Sequence, residues 1–237
     1  MAIDEPKSPT EELNEPPLTT PMYVAWCDVM GASAMMKYSF RTARFRVFQF
    51  YTLVMATMQQ VPGVSVYPAG DGVFLVSKDY EPIRDFLKDL MNRVCNVSQS
   101  KNQRQHGHLA FLVRSAIAHG AVSLGMQEAQ RILQSTGVEP IPEVIHNVIV
   151  GPPVSVAYQL EREAPPLGIV LDISVLQRHT DILGPFVRWS KQPQQSLNYV
   201  KTYFEIQMKH KAEFGFDSTR VEKYLELARE YFNETLP

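Results

Sequence analysis

An α+β fold, built on a ferredoxin-like βαββαβ core with extra strands and a C-terminal helix, is what the order of apolar patterns predicts for this 237-residue chain. Three observations carry that expectation. A short apolar run, Met22 to Cys27, ends at Asp28 and Gly31 as a buried strand does on entering a turn. A long segment of helical periodicity follows. Two β-rich runs then flank Gly70-Asp71-Gly72, ahead of a second helical segment and another β-rich run.

Taken in order, residues 1–21 are rich in Glu, Pro and Thr and offer little to bury, so a disordered lead-in is expected. The first strand starts at Met22. A helix from about Met35 to Gln60 sets Phe45, Phe48, Tyr51 and Met55 against the sheet and stops at Pro62-Gly63. Val64 to Ala69 and Val73 to Ser77 form a hairpin with Asp71 at its tip. A second helix runs from Pro82 to Val97, and a polar loop, Ser98 to Gly107, leads to a strand from Leu109 to Ala118. Gly120 and Gly125 bracket another short strand. Met126 to Asn147 combines a helical piece with Gly137 and two prolines, and reads as an excursion that packs on a partner or covers a site. Gly151-Pro152-Pro153 opens a helix to about Glu163. Ile169 to Ile173, Phe186 to Trp189 and Tyr199 to Ile206 read as strands, and Asp217 caps a last helix from Ser218 to Phe232.

Composition narrows the function classes. The net charge is −2 and Lys and Arg are spread thinly along the chain, so no basic stripe prepares it for nucleic acid. Cys27 and Cys95 are the only cysteines, without the spacing of a zinc site or a disulfide framework. The N-terminus lacks the pattern of a signal peptide, and no apolar stretch reaches the roughly 18 residues that span a membrane. A cytoplasmic protein with no membrane partner is expected.

Asp28 and Asp71 carry the chemistry. One stands where a strand ends and the other at a hairpin tip, on strands that neighbour each other in a βαββ core. Their carboxylates can converge on one or two Mg2+ or Mn2+ ions, hard cations that favour oxygen ligands and substrate phosphates. Taken singly, each acid also suits a structural place, Asp28 as a helix cap and Asp71 in a turn.

Four motifs stand in a fixed order: Tyr23-Val24-Ala25-Trp26-Cys27-Asp28-Val29-Met30-Gly31, Tyr67-Pro68-Ala69-Gly70-Asp71-Gly72-Val73, Arg114-Ser115-Ala116-Ile117-Ala118-His119-Gly120, and Gly151-Pro152-Pro153-Val154-Ser155-Val156-Ala157-Tyr158-Gln159-Leu160-Glu161. Together they resemble the class III nucleotidyl cyclase catalytic domain. The resemblance covers residues 22–206, leaving 1–21 as lead-in and 207–237 as a C-terminal helical extension. It implies an α+β fold of class III cyclase type and two divalent metal ions, Mn2+ or Mg2+, held by Asp28, Asp71 and the carbonyl of Val29. It also implies a phosphate cradle from the N–H groups of Met30 to Ala34, including Gly31 and Ser33, with Arg114 on the triphosphate. His119 has no assigned role, since a lone His beside Gly is more often structural.

Departures from the family narrow the substrate. Tyr67 replaces the Lys or Glu that reads a purine, Ser155 and Gln159 replace the Asn and Arg brought by the later helix, and Val148, beside Asn147, replaces a purine-reading Asp. A stand-alone cyclase domain with Tyr at the base position is similar to the pyrimidine cyclases of bacterial Pycsar anti-phage signalling. That likeness implies UTP, or next CTP, as substrate, a cyclic nucleotide that acts on a separate effector protein, and a homodimer with shared active sites. An adenylate or guanylate cyclase with unusual base readers is one alternative. A catalytically inactive nucleotide-binding module is another, because Gln159 lacks the charge that faces the transition state.

Overall fold

The computed structural model describes residues 18–99, 110–209 and 218–233. Most of the expected lead-in, most of the polar loop before the strand expected from Leu109, and the Asp217 cap lie outside them. Strand β1 (Thr20–Val29) is buried from Met22 to Cys27, which accounts for an apolar run without polar alternation. It begins inside the stretch expected as lead-in, because Thr20 and Pro21 pair with Val122 and Ala121.

The expected long helix is two. Helix α1 (Ala32–Tyr38) stops at Ser39, whose backbone leaves the helical region, and α2 (Phe40–Met58) continues from it. The predicted packing face is also corrected. Phe48 and Met55 are 67% and 56% exposed, and Phe45 is exposed too, whereas Phe50, Leu53 and Val54 enter the core. Strands β2 (Ser65–Ala69) and β3 (Gly72–Ser77) form the expected hairpin. Helix α3 (Tyr80–Gln99) leads to β4 (Val113–Leu124), one unbroken strand where two were expected.

Residues 126–147 fold locally as α4 (Gly125–Thr136), ended by Gly137 at φ 65°, and a single turn, α5 (Pro142–Ile145). The short β5 (Ile149–Val150) precedes α6 (Pro152–Leu160), a 3₁₀ turn (Glu161–Glu163), β6 (Ile169–Leu171) and the turn α7 (Ile173–Leu176). Two predicted strands are absent. Phe186 makes only an isolated bridge to Val170, and Tyr199 to Ile206 lies inside α8 (Pro193–Lys209). Helix α9 (Ser218–Asn233) completes the chain as expected.

The sheet order β2-β3-β1-β4-β5, with β6 parallel to β4, contains the four-strand pattern of a ferredoxin-like core. Alternate residues of β1 divide it into two faces. Tyr23, Ala25, Cys27 and Val29 meet α2, α3, α8 and α9 through Phe50, Leu87, Tyr203 and Phe232. Met22, Val24 and Trp26 meet the other side, where α6 lays Val154 and Ala157 on the sheet. No helix among the described residues is long and apolar enough to cross a membrane.

Candidate active site

The second face carries the site. In the sheet register Asp28 lies opposite Gly72 on one side and Arg114 on the other, so three of the motifs meet at the end of β1. The hairpin tip is drawn in by the Val29 N–H, which donates to the Asp71 carbonyl at 3.3 Å. From α2, the Tyr51 hydroxyl reaches the carbonyls of Gly72 at 2.9 Å and Gly70 at 3.2 Å. Both glycines of the tip have physical work. Gly70 sits at φ 65°, and a Cβ on Gly72 would meet the Trp26 ring at 2.5 Å.

Immediately after β1 the chain turns at Gly31, whose φ of 73° makes it the N-cap of α1. Asp28 is therefore not the helix cap. The turn sets the Ser33 hydroxyl to donate to Asp71 Oδ2 at 2.8 Å. The Met30 N–H is spent on the Leu112 carbonyl at 2.9 Å, which removes it from the expected phosphate cradle.

A third acid joins the site. Glu161, 4% exposed, forms an ion pair with Arg114. Burial pushes its carboxyl up, and the Arg114 charge pulls it back. Asp28 is pushed up to about 8, first by burial and then by the charges of Asp71 and Glu161. Its Oδ1 is buried without a hydrogen-bond partner. Three carboxylates facing one guanidinium are short of positive charge, and an orphaned carboxylate oxygen is costly unless a cation meets it.

These residues fit divalent metal. No group of three or more His, Cys, Asp or Glu able to hold a metal ion occurs among the described residues. Mg2+-type ions need only one or two carboxylates when substrate phosphates and water complete the shell, a number that Asp28 and Asp71 could supply.

The remaining expected residues fall into two places. Tyr67 shares the face of Asp28 one pair further in, in a row Tyr67, Phe74, Trp26, with Trp26 and Phe74 ring centres 4.5 Å apart. Ser155 and Gln159 lie one turn apart on α6, both exposed, and no described hydrogen bond or ion pair links them to the acids. Val148 and Asn147 belong to the turn after α5, where the Asn147 side chain donates to the Glu143 carbonyl. Sequence reading passed over Glu161. The signal was there: Val154, Ala157 and Glu161 recur at helical spacing, so an acid closes an otherwise apolar stripe.

The architecture is that of class III nucleotide cyclase catalytic domains, and solved structures agree on it. The chain is similar to a bacterial light-regulated adenylyl cyclase at 12% identity and a TM-score of 0.53, over 79% of this chain and 100% of that one. The monomeric guanylyl cyclase domain of the RhoGC fusion protein from the aquatic fungus Blastocladiella emersonii matches at 14% identity and TM-score 0.51, over 69% of this chain and 86% of that one. An adenylate/guanylate cyclase/hydrolase from Silicibacter pomeroyi matches at 16% identity and TM-score 0.50, over 73% and 87%. No protein-family model and no curated protein matches the sequence.

Proposed function

We propose that this protein is a nucleotide cyclase that converts a pyrimidine nucleoside triphosphate, UTP before CTP, into its 3′,5′-cyclic monophosphate and pyrophosphate. The observation that carries the reading is the convergence of Asp28 and Asp71, one with a buried unpartnered oxygen, beside Arg114 on one sheet face. Asp28, Asp71 and the Val29 carbonyl would hold two divalent ions, Mn2+ or Mg2+, which supply charge to the phosphates and acidity to the ribose 3′-hydroxyl. Ser33 orients Asp71, and the N–H groups from Gly31 to Ala34 face the phosphates at the start of α1.

Tyr67 supports a pyrimidine because its ring fills space on the sheet face that a purine's second ring would need, and its hydroxyl can donate to a uracil carbonyl or accept from a cytosine amine. Ser155 and Gln159 point outward from the chain that holds the acids. Together with the base-facing Tyr67 they complete the site of a second copy in a homodimer with two equivalent shared sites. The cyclic product acts as a second messenger on a separate effector.

Purified protein incubated with Mn2+ and each of the four triphosphates tests the reading. Cyclic UMP or cyclic CMP should form well above cyclic AMP or cyclic GMP, and Asp71→Ala should abolish product. Preference for ATP or GTP would replace the pyrimidine reading with an adenylate or guanylate cyclase. A second reading, an inactive nucleotide-binding module, is favoured by the engagement of Arg114 with Glu161 and by the uncharged Gln159. Nucleotide binding without turnover of any triphosphate would establish it.

A further inference from the structure

Arg220, Lys223, Tyr224 and Leu227 recur at three- and four-residue spacing on α9, beside the stripe of Val221, Ala228, Tyr231 and Phe232 that enters the core. They form one wall of a cleft of about 580 Å3, with Arg114, Arg162 and Glu163 opposite. That volume lies in the range of small-molecule sites. Three cations besides the Glu161-paired Arg114, namely Arg162, Arg220 and Lys223, meet one carboxylate there, although the whole chain carries a net charge of −2. Among the described residues no carboxylate lies in ion-pair contact with Arg162, Arg220 or Lys223.

Arg114 joins this cleft to the acids. It faces Asp28 across β1 and β4 and pairs with Glu161, while its Nη1 stands 3.4 Å from the Tyr224 hydroxyl. Its guanidinium lies 5.7 Å from the centre of the Tyr224 ring. Guanidinium groups around a confined space suit a compact ligand with several negative oxygens, since their paired N–H donors match phosphate geometry.

We infer that the cleft between the 3₁₀ turn and α9 binds the pyrophosphate moiety of a polyphosphate anion, with Arg220 and Lys223 as its phosphate ligands. The source of that anion rests on the cyclase reading. There the 3′-oxygen bonds to the α-phosphorus, the bond from the α-phosphorus to the bridging oxygen breaks, pyrophosphate leaves with that oxygen, and the hydroxyl proton passes to solvent. The cleft takes the same chemical group before the break, as the substrate's tail, or after it, as product.

Calorimetric titration of inorganic pyrophosphate into the full-length protein, without divalent metal, reads the site directly. The double variant Arg220→Ala/Lys223→Ala should weaken binding about tenfold, and added salt should weaken it in the wild type. The swap Arg220→Lys/Lys223→Arg should retain it. Both positions are exposed, so an unchanged unfolding midpoint is expected to accompany the loss. In turnover assays, a KM raised about tenfold with a smaller change in kcat assigns the cleft to the substrate's tail. An unchanged KM with weaker inhibition by pyrophosphate assigns it to the product. Pyrophosphate binding that is absent in the wild type, or equal in the double variant, overturns the inference. Loss of binding in the double variant by a protein that turns over no triphosphate keeps the cleft and removes the cyclase reading.

Discussion

In the proposed cyclase, Asp28 would serve the reaction at the expense of the fold. An unfolded aspartate titrates near pH 4, whereas in the folded chain this carboxyl is pushed up to about 8. Folding therefore takes up a proton between about pH 4 and pH 8, and stability falls as pH rises through that window when no divalent cation is present. Above it the deficit is complete; below it there is none. The neutral, nearly isosteric Asp28→Asn should raise the stability of the metal-free protein at pH 8 by roughly 1 to 3 kcal/mol, less than the whole shift implies because the group keeps partial contact with water. It should abolish cyclisation. Thermal unfolding at pH 4 and pH 8 checks this, and a variant no more stable than wild type at pH 8 counts against a charge-starved site. The strand-end place of Asp28 and the hairpin-tip place of Asp71 were legible in the sequence. Glu161 was legible only as the acid that closes the apolar stripe of α6, and its pairing with Arg114 emerges from the tertiary fold.

Among the elements, the β2–β3 hairpin was the most readable, since Gly-Asp-Gly between two β-rich runs leaves few alternatives. Its two glycines should not respond alike. Gly72→Ala forces a methyl into the Trp26 ring and the Cys27 carbonyl, with about 1 to 3 kcal/mol lost to overpacking. Gly70→Ala meets nothing within 4 Å, and its cost is the left-handed backbone alone, about 1 to 2 kcal/mol. Urea unfolding of both variants ranks them, and the larger loss at Gly70 would contradict the packing of Trp26. Helix α2 was readable as a helix but not by face. Two apolar stripes run along it, and the core took Phe50, Leu53 and Val54 while leaving Phe45, Phe48 and Met55 outside. In α8 the aromatic and β-branched residues from Tyr199 to Ile206 suggested a strand. Burial of Val200, Tyr203, Phe204 and Gln207 at helical spacing overrode that preference.

For the whole molecule, the order of strands and helices through β4 followed from the sequence, and the meeting of distant cations did not. Arg114, Arg162, Arg220 and Lys223 are thinly spread in the chain and share one cleft only after α9 packs beside the 3₁₀ turn. The separation of Asp71 from the exposed Ser155 and Gln159 gives the dimer a test of its own. Inactive Asp71→Ala protein mixed with inactive Tyr67→Ala/Ser155→Ala protein should recover about a quarter of wild-type activity after subunit exchange, since half the dimers then hold one intact site of two. A demonstrated heterodimer without recovery would mean that each chain keeps its own site.

The central place of β1 also governs how the protein is made. During synthesis Tyr23 to Cys27 emerges ahead of its partners β3 and β4, the second of which follows about 80 residues behind. At about 5 to 20 residues per second that delay is roughly 4 to 16 seconds, during which the β4-facing edge of an uncharged, β-prone segment waits unpaired on the ribosome.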